Sequence, residues 1–404
     1  MQLVEQHIIR KTDARYQAID QAAFASKNLY NAANYEIRQA FIHQSVYLSY
    51  EEMHQRMKSH EAYQALPRKV SQQVLRLLDK NWKSFFAACK AYQKHPEKFL
   101  GRPKLPKYKD KQQGRNILVY TIQAISKPAL RQGKVIPSGL PIVVETRCAQ
   151  VDQVRIVPKQ GFYVVEVIYE QPETQADVDP SLYAGIDIGI DNLATLTSNK
   201  EGFTPRIVNG RPLKSINQYY NKRKADLQSI LRDTRFTARM ERITNKRTRR
   251  IDHYLHTASR RIIDLLVADQ IGTLVIGKNP NWKQEVNIGK RTNQQFVCIP
   301  HARFIDMLTY KAQLVGIAVI VTEESYTSKC SFLDREPIGK HEVYAGRRVK
   351  RGLFRASTGH YINADVNGSY NILRKVAPDA FGQGSRGCVV HPVRLAVQTV
   401  YSSL

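Results

Sequence analysis

The chain is 404 residues long and sets 62 Lys and Arg against 35 Asp and Glu, a formal net charge of +27, while 42% of its residues are hydrophobic. That balance excludes a disordered basic tail and describes a folded protein of two or three domains whose cationic surface suits a polyanion, nucleic acid before a membrane. No apolar run approaches the roughly 20 residues that cross a bilayer. Met1-Gln-Leu-Val-Glu5 has no signal-peptide pattern, and the five scattered cysteines form neither a disulfide framework nor a CxxC pair, so a reducing, cytoplasmic setting is expected.

Gln2 to Arg10 reads as a strand. After Asp13, Ile19, Ala22, Leu29, Ala33 and Ile37 recur at near-helical spacing, and Tyr47 to Leu66 reads as a shorter polar helix ending before Pro67. From Ser71 a second strong helix carries Val74, Leu77, Leu78, Trp82, Phe85 and Phe86 on one stripe. The helices of residues 13–95 form a helical lobe. Lys94 to Lys111 is basic, proline-rich and interleaved with aromatics. It reads either as a solvated loop or as a segment that touches phosphates, with Arg102, Lys104 and Lys107 as its candidate contacts. Ile117–Tyr120, Pro141–Glu145, Gln153–Val157 and Phe162–Tyr169 then suggest a small antiparallel barrel, built from residues 1–12 and 96–180.

The next stretch organises the rest. Tyr183 to Ile188 and Leu193 to Thr197 form a hairpin, and Asp187 interrupts the apolar strand between Ile186 and Ile188. A buried carboxylate there needs a hydrogen-bonding partner, an ion pair or a metal. Asp191 has a simpler explanation as a turn residue. Ser215 to Val267 is helical and intensely basic, and Lys222, Arg223, Lys224, Arg235, Arg239, Lys246, Arg247, Arg249 and Arg250 are its candidate nucleic-acid contacts. Thr273–Gly277 is a buried strand, Asn279 to Gln295 a loop, and Pro300 to Gly316 a helix. Strand Ala318–Thr322 delivers Glu323 and Glu324. Residues 326–362 are loop-rich and basic, with Arg347 and Arg348 as candidate contacts. Asp365 then stands at the start of a final helix. Hairpin, strand–helix–strand and helical Asp in this order suit a ribonuclease-H-like α/β fold. In that fold, three acids hold two divalent cations that cut a phosphodiester in line, and Mg²⁺ prefers such hard oxygen ligands.

The motifs Gly185-Ile-Asp187-Ile-Gly189, Glu324-Ser-Tyr-Thr-Ser328 and Asn363-Ala-Asp365-Val-Asn367-Gly368-Ser-Tyr-Asn371 together resemble the RuvC motifs of the TnpB family. The likeness is strongest over residues 182–374, which gives a RuvC-like nuclease core over 181–325, a target-nucleic-acid-binding insert over 326–362 and a C-terminal helix and tail over 363–404. It implies a wedge barrel carrying the helical recognition lobe at the N-terminus. It further implies a transposon-encoded, RNA-guided DNA endonuclease that uses two Mg²⁺ (or Mn²⁺), with a guide RNA from the transposon end and target DNA as partners, no membrane, and a monomeric state favoured. The catalytic, metal-holding acids implied are Asp187, Glu324 and Asp365. The family's second acid usually ends the strand after the basic helices, which here closes on Gly277. The chain resembles a subset with a displaced glutamate, Glu324 or, as second choice, Glu323. Relatives carry a four-cysteine zinc ribbon where this chain keeps Cys330, so zinc is not expected; pairings of Cys330 with His341 or Cys388 with His391 are minor alternatives. A catalytically silent RNA-guided repressor and a DNA transposase are the alternative functions.

Overall fold

The computed structural model describes residues 1–231, 237–279, 297–382 and 390–397. The chain divides into two compact units, Met1–Gln171 and Pro172–Leu404.

In the first unit β1 (Gln2–Arg10) begins a sheet entered next by the helices α1 (Tyr16–Gln44), α2 (Tyr50–Met57), α3 (Glu61–Gln64) and α4 (Arg68–Lys94). The polar run before Pro67 is two helices rather than one, because Ser49 and Glu52 close a capping box at the first while His60 caps the second. Helix α4 begins ahead of the expected Ser71, directly after Pro67, whose fixed φ suits a helix start. Leu29, Ala33 and Ile37 of α1 pack with Val74, Leu78 and Trp82 of α4. The first turns of α1, through Ile19 and Ala23, belong to the core under the sheet.

That sheet joins β1 to β2 (Leu118–Thr121), β5 (Gln153–Lys159) and β6 (Phe162–Glu170) in the order β1-β6-β5-β2, while β3 (Lys134–Val135) and β4 (Val144–Glu145), which follow helix α5 (Lys127–Arg131), pair separately with each other. The ladder is open, with β1 and β2 as its edges, and does not close into the expected barrel. Pro137 and Pro141 flank the β3–β4 connection and cannot donate to a ladder, which limits that pair to two residues on each strand.

The basic, proline-rich segment is laid along α1. Lys27 Nζ donates to the Lys111 carbonyl at 2.7 Å, Asn31 exchanges two 2.9 Å bonds with Lys109, and Asn34 Nδ2 donates to the Pro106 carbonyl at 3.1 Å. Positions 27, 31 and 34 fall on one helical face, so a regular helix holds an irregular segment at matched intervals.

The second unit carries a six-stranded sheet, order β11-β10-β7-β8-β9-β15. It contains β7 (Asp179–Asp187), β8 (Asn192–Ser198), β9 (Arg206–Asn209), β10 (Ile271–Gly277), β11 (Ala318–Thr322) and β15 (Val393–Arg394), with β7 parallel to β10 and antiparallel to β8. The basic stretch is two helices, α6 (Arg211–Ile230) and α7 (Ala238–Ala268), followed after β10 by α8 (His301–Gln313). Side chains of β7 alternate. Ala184 and Ile186 join the core with Leu255, Ile262 and Phe304 from α7 and α8. Gly185 and Asp187 face the final helix, α9 (Ala364–Val376). A Cβ on Gly185 would stand 2.5 Å from the Ser369 carbonyl oxygen, so only glycine lets α9 cross this closely.

The segment expected to be loop-rich holds a three-stranded sheet, β12 (Arg347–Lys350), β13 (Leu353–Arg355) and β14 (Tyr361–Asn363), over a small core of Phe332, Phe354, Ile362 and Tyr370. Strands β9 and β15 were also not expected, the latter from a mere two residues.

Candidate active site

The register of the sheet sets the geometry. Ile186 pairs with Ile276 and Gly277 with Thr322, so Asp187, Gly277 and Thr322 lie in one row at the ends of three parallel strands. Glu324 follows Thr322 by two residues, and its Oε2 lies 2.9 Å from the point where a Gly277 Cβ would be. The carboxylate of Glu324 thus occupies the space above Gly277 that a side chain on β10 would otherwise fill. Asn279 fixes it: its Nδ2 donates to Glu324 Oε1 at 3.2 Å and its Oδ1 accepts from the Glu324 amide at 3.1 Å. Oε2 is buried without any hydrogen-bond partner. Glu323 is directed elsewhere, held by Lys375 Nζ at 2.7 Å and by the Ser325 amide and hydroxyl.

Asp365 comes from the first turn of α9, where Asn363 Oδ1 caps the amides of Asp365 and Val366 at 3.0 and 3.2 Å. Its Oδ2 accepts 2.6 Å from Asn192 Nδ2, at the start of β8, and Arg348 Nη2 lies 3.7 Å from its Oδ1. One turn along α9, a Cβ on Gly368 would meet Asp187 Oδ2 at 2.9 Å, so the glycine makes room for the carboxylate. Asp191, in the hairpin turn, binds Lys214 at 2.5 Å and Arg351; burial pushes its carboxyl up, but the two cations outweigh this and hold it below its ordinary value.

The acids feel one another. Asp187 is held well above the ordinary carboxylate range, first by the protein crowded around it, although a sliver of its surface stays open, and then by the negative charges of Asp365 and Glu324. Burial and Glu323 push Glu324 to about 7, against the opposing pull of Lys375. Among the described residues no three carboxylate, imidazole or thiol groups are drawn close enough to form a ready-made metal cage. The donor set nevertheless fits a hard divalent cation, since it offers oxygens only, one of them buried with no partner, and its charges repel in the absence of a cation.

Residues 166–283 match the OrfB_IS605 family, described as probable transposase, and residues 301–372 match the Cas12f1-like TNB domain. The TnpB-like protein ORF457 of Acidianus two-tailed virus is 25% identical over 399 residues, covering 87% of this chain and 81% of its own. The chain is thus similar to TnpB-like proteins over most of its length. The CRISPR-associated endodeoxyribonuclease Cas12f2 of a Micrarchaeota archaeon (strain CG1_02_47_40) is 25% identical over 228 residues, 53% of this chain and 40% of that one. Among solved structures, the Cas12f1 chain from a complex with sgRNA and target DNA superposes with a TM-score of 0.55 at 15% identity, covering 87% of this chain and 81% of that one, which shows a shared fold.

The remaining expected residues divide by what they touch. Arg102, Lys104, Lys107, Lys222, Arg239, Lys246, Arg249, Arg250, Arg347 and Arg348 are exposed, and Arg223 and Lys224 half-buried. Arg247 differs, because its guanidinium bonds Asn217 Oδ1 at 2.7 Å and the Cys298 carbonyl at 3.0 Å, joining α6 to α7. Arg235 and Cys388 lie outside the described residues, as does most of the Asn279–Gln295 loop. Cys330 is buried with its thiol pushed up by burial, its Sγ donating to the Gly339 carbonyl, while His341 contacts the Pro337 carbonyl. The turn that bears Cys330 is held by side-chain amides instead: Asn367 Nδ2 donates to the Cys330 carbonyl, and Asn371 Nδ2 to the carbonyls of Thr327 and Cys330, all within 2.9 Å. The sequence reading missed the work of Asn192, Asn279, Asn367 and Asn371. The signal available was their place beside the acidic motifs.

Proposed function

We propose that this chain is an RNA-guided DNA endonuclease, in which Asp187, Glu324 and Asp365 hold divalent metal and the cationic surface holds a guide RNA and its DNA target. The observation that carries the reading is the placement of Glu324 Oε2: buried, unpartnered and lying over Gly277, in the row that ends in Asp187. The family match over residues 166–283 and the endodeoxyribonuclease among the relatives support the same chemistry. When bound, Mg²⁺ would lower the pKa of an attacking water and stabilise the leaving oxygen. The chain's own residues do the rest. Asn279 and Asn192 orient Glu324 and Asp365, Gly368 leaves room for Asp187, and the exposed cations position the phosphates. Guide–target pairing reads the sequence while the protein reads a short flanking motif.

The direct test is to express the protein with its flanking DNA, sequence the RNA that co-purifies, and programme cleavage with it. Mg²⁺-dependent cutting of a matching duplex that disappears in Asp187→Ala, with RNA binding intact, is the expected result. Equal cutting by Asp187→Ala removes Asp187 from the site. Guided binding without any cutting by wild type makes the chain a silent binder.

A further inference from the structure

Where the C-terminal end of α9 meets the segment after Cys330, the second unit contains a cavity of about 490 Å³. It falls within the size range of small-ligand sites. Arg335, Arg374 and Lys375 line it against a single carboxylate, Asp379, and its apolar walls include Ile338 and Phe381. The ring of Phe381 packs edge-on against the stacked pair Phe332 and Tyr370, whose centroids are 4.3 Å apart, so the wall is rigid.

Two features mark the cavity as built for a ligand. Arg374 bonds the Glu336 carbonyl through Nη2, but its Nη1 is buried with no partner at all. A buried guanidinium nitrogen without an acceptor costs free energy that a phosphate oxygen would recover. Arg335 adopts φ +54°, a left-handed conformation uncommon for a residue with a Cβ, and donates to the Gly382 carbonyl. Such strain persists where the surroundings impose it, commonly at ligand sites.

We propose that this cavity receives one nucleotide of a single DNA strand, its phosphate meeting Arg374 Nη1 and Arg335 and its base lying against Phe381. Lys375, on the cavity wall, is bonded to Glu323, the neighbour of Glu324, which links the cavity to the segment that carries the acid. The inference rests on the nuclease reading for the identity of the strand. A guanidinium that pairs with phosphate and an aromatic face that accepts any base give affinity without sequence preference.

The test is photo-crosslinking of the full chain, in EDTA, to a single-stranded oligodeoxynucleotide carrying 5-iododeoxyuridine, with the adducts located by mass spectrometry. An adduct on Phe381 is expected. Its yield should fall about tenfold, the effect of one stacked base, in Ile338→Trp, which fills the cavity, and in Arg335→Glu, which reverses one exposed charge of the lining at the loss of the bond to the Gly382 carbonyl and stands in should the first variant misfold. Adducts only outside the cavity, or a Phe381 adduct that survives both variants, overturn the proposal. A large excess of free dAMP that removes this adduct while the strand stays bound would assign the cavity to a free nucleotide and overturn it as well. Because no metal is present, a missing adduct beside normal Asp187-dependent cleavage rejects the cavity alone.

Discussion

At the residue scale the site turns on a substitution of position. A glycine ends β10 and an acid from the next strand fills the space above it, so the carboxylate can be moved. Glu324→Gln is expected to abolish cleavage, whereas Glu323→Gln, whose carboxylate is held by Lys375 and Ser325, retains it. Restoring the acid to β10 in Gly277→Asp/Glu324→Ala relieves the 2.9 Å conflict with Glu324 and leaves the Ile372 side chain, with Cδ1 at 2.5 Å and Cγ1 at 3.1 Å, to shift. The double variant should recover cleavage to within about 100-fold of wild type, the penalty of an ångström-scale misplacement, while each single change stays inactive. A dead double variant would show that β10 cannot present an acid to the site. The same carboxylate sets a pH dependence. Its proton affinity is raised from the ordinary 4.5 to about 7, so between those values the folded chain holds a proton that the unfolded chain has lost. Metal-free protein therefore loses stability as pH rises through that window. Thermal melts in EDTA should show Glu324→Gln more stable than wild type at pH 8, by about 2–4 °C per kcal/mol of relieved repulsion, with the gain absent at pH 4.5. A gain of equal size at both pH values would contradict the assignment.

At the element scale, α9 does two jobs with two faces. Its first turns bring Asp365 to the site, and Asn367 and Asn371 on the same helix hold the turn bearing Cys330. Gly368→Ala separates these roles. An alanine in a helix interior ordinarily adds up to about 1 kcal/mol, yet here its Cβ meets Asp187 Oδ2. Cleavage should fall at least about tenfold with the melting temperature unchanged or raised; loss of stability with normal turnover would refute the account. Asn371→Ala instead strips donors from two buried carbonyls and should cost about 1–3 kcal/mol of stability, read in urea unfolding.

At the scale of the whole molecule the charge of +27 governs association. RNA affinity should fall linearly on a log–log plot against salt, with Lys222→Ala, Arg239→Ala or Arg250→Ala each reducing the slope by about 0.7–0.9. Arg247→Ala should lower thermal stability more than its neighbours do, because its guanidinium ties α6 to α7 and the Cys298 carbonyl. A slope that none of the three surface variants changes would remove this stretch from the RNA-binding surface.

The order of the elements, the basic helices and the three acids were legible in the sequence because each depends on local periodicity or on an ionisable residue in apolar surroundings. Asp187 stands out between two isoleucines whatever the rest of the chain does. What the sequence left open was decided by packing. Where Glu323 and Glu324 point follows from the turn after β11, which gives one carboxylate to Lys375 and the other to the space over Gly277. The proline-rich segment reads as a loop because its partners, Lys27, Asn31 and Asn34, lie 72 to 84 residues away on α1. The expected barrel is an open sheet because pairing depends on which edges meet, and two prolines remove donors without changing the apolar pattern. Strands β9 and β15 and the small sheet over Phe354 were hidden for the same reason: two to four residues carry no periodicity of their own, and only a neighbouring strand makes them a ladder.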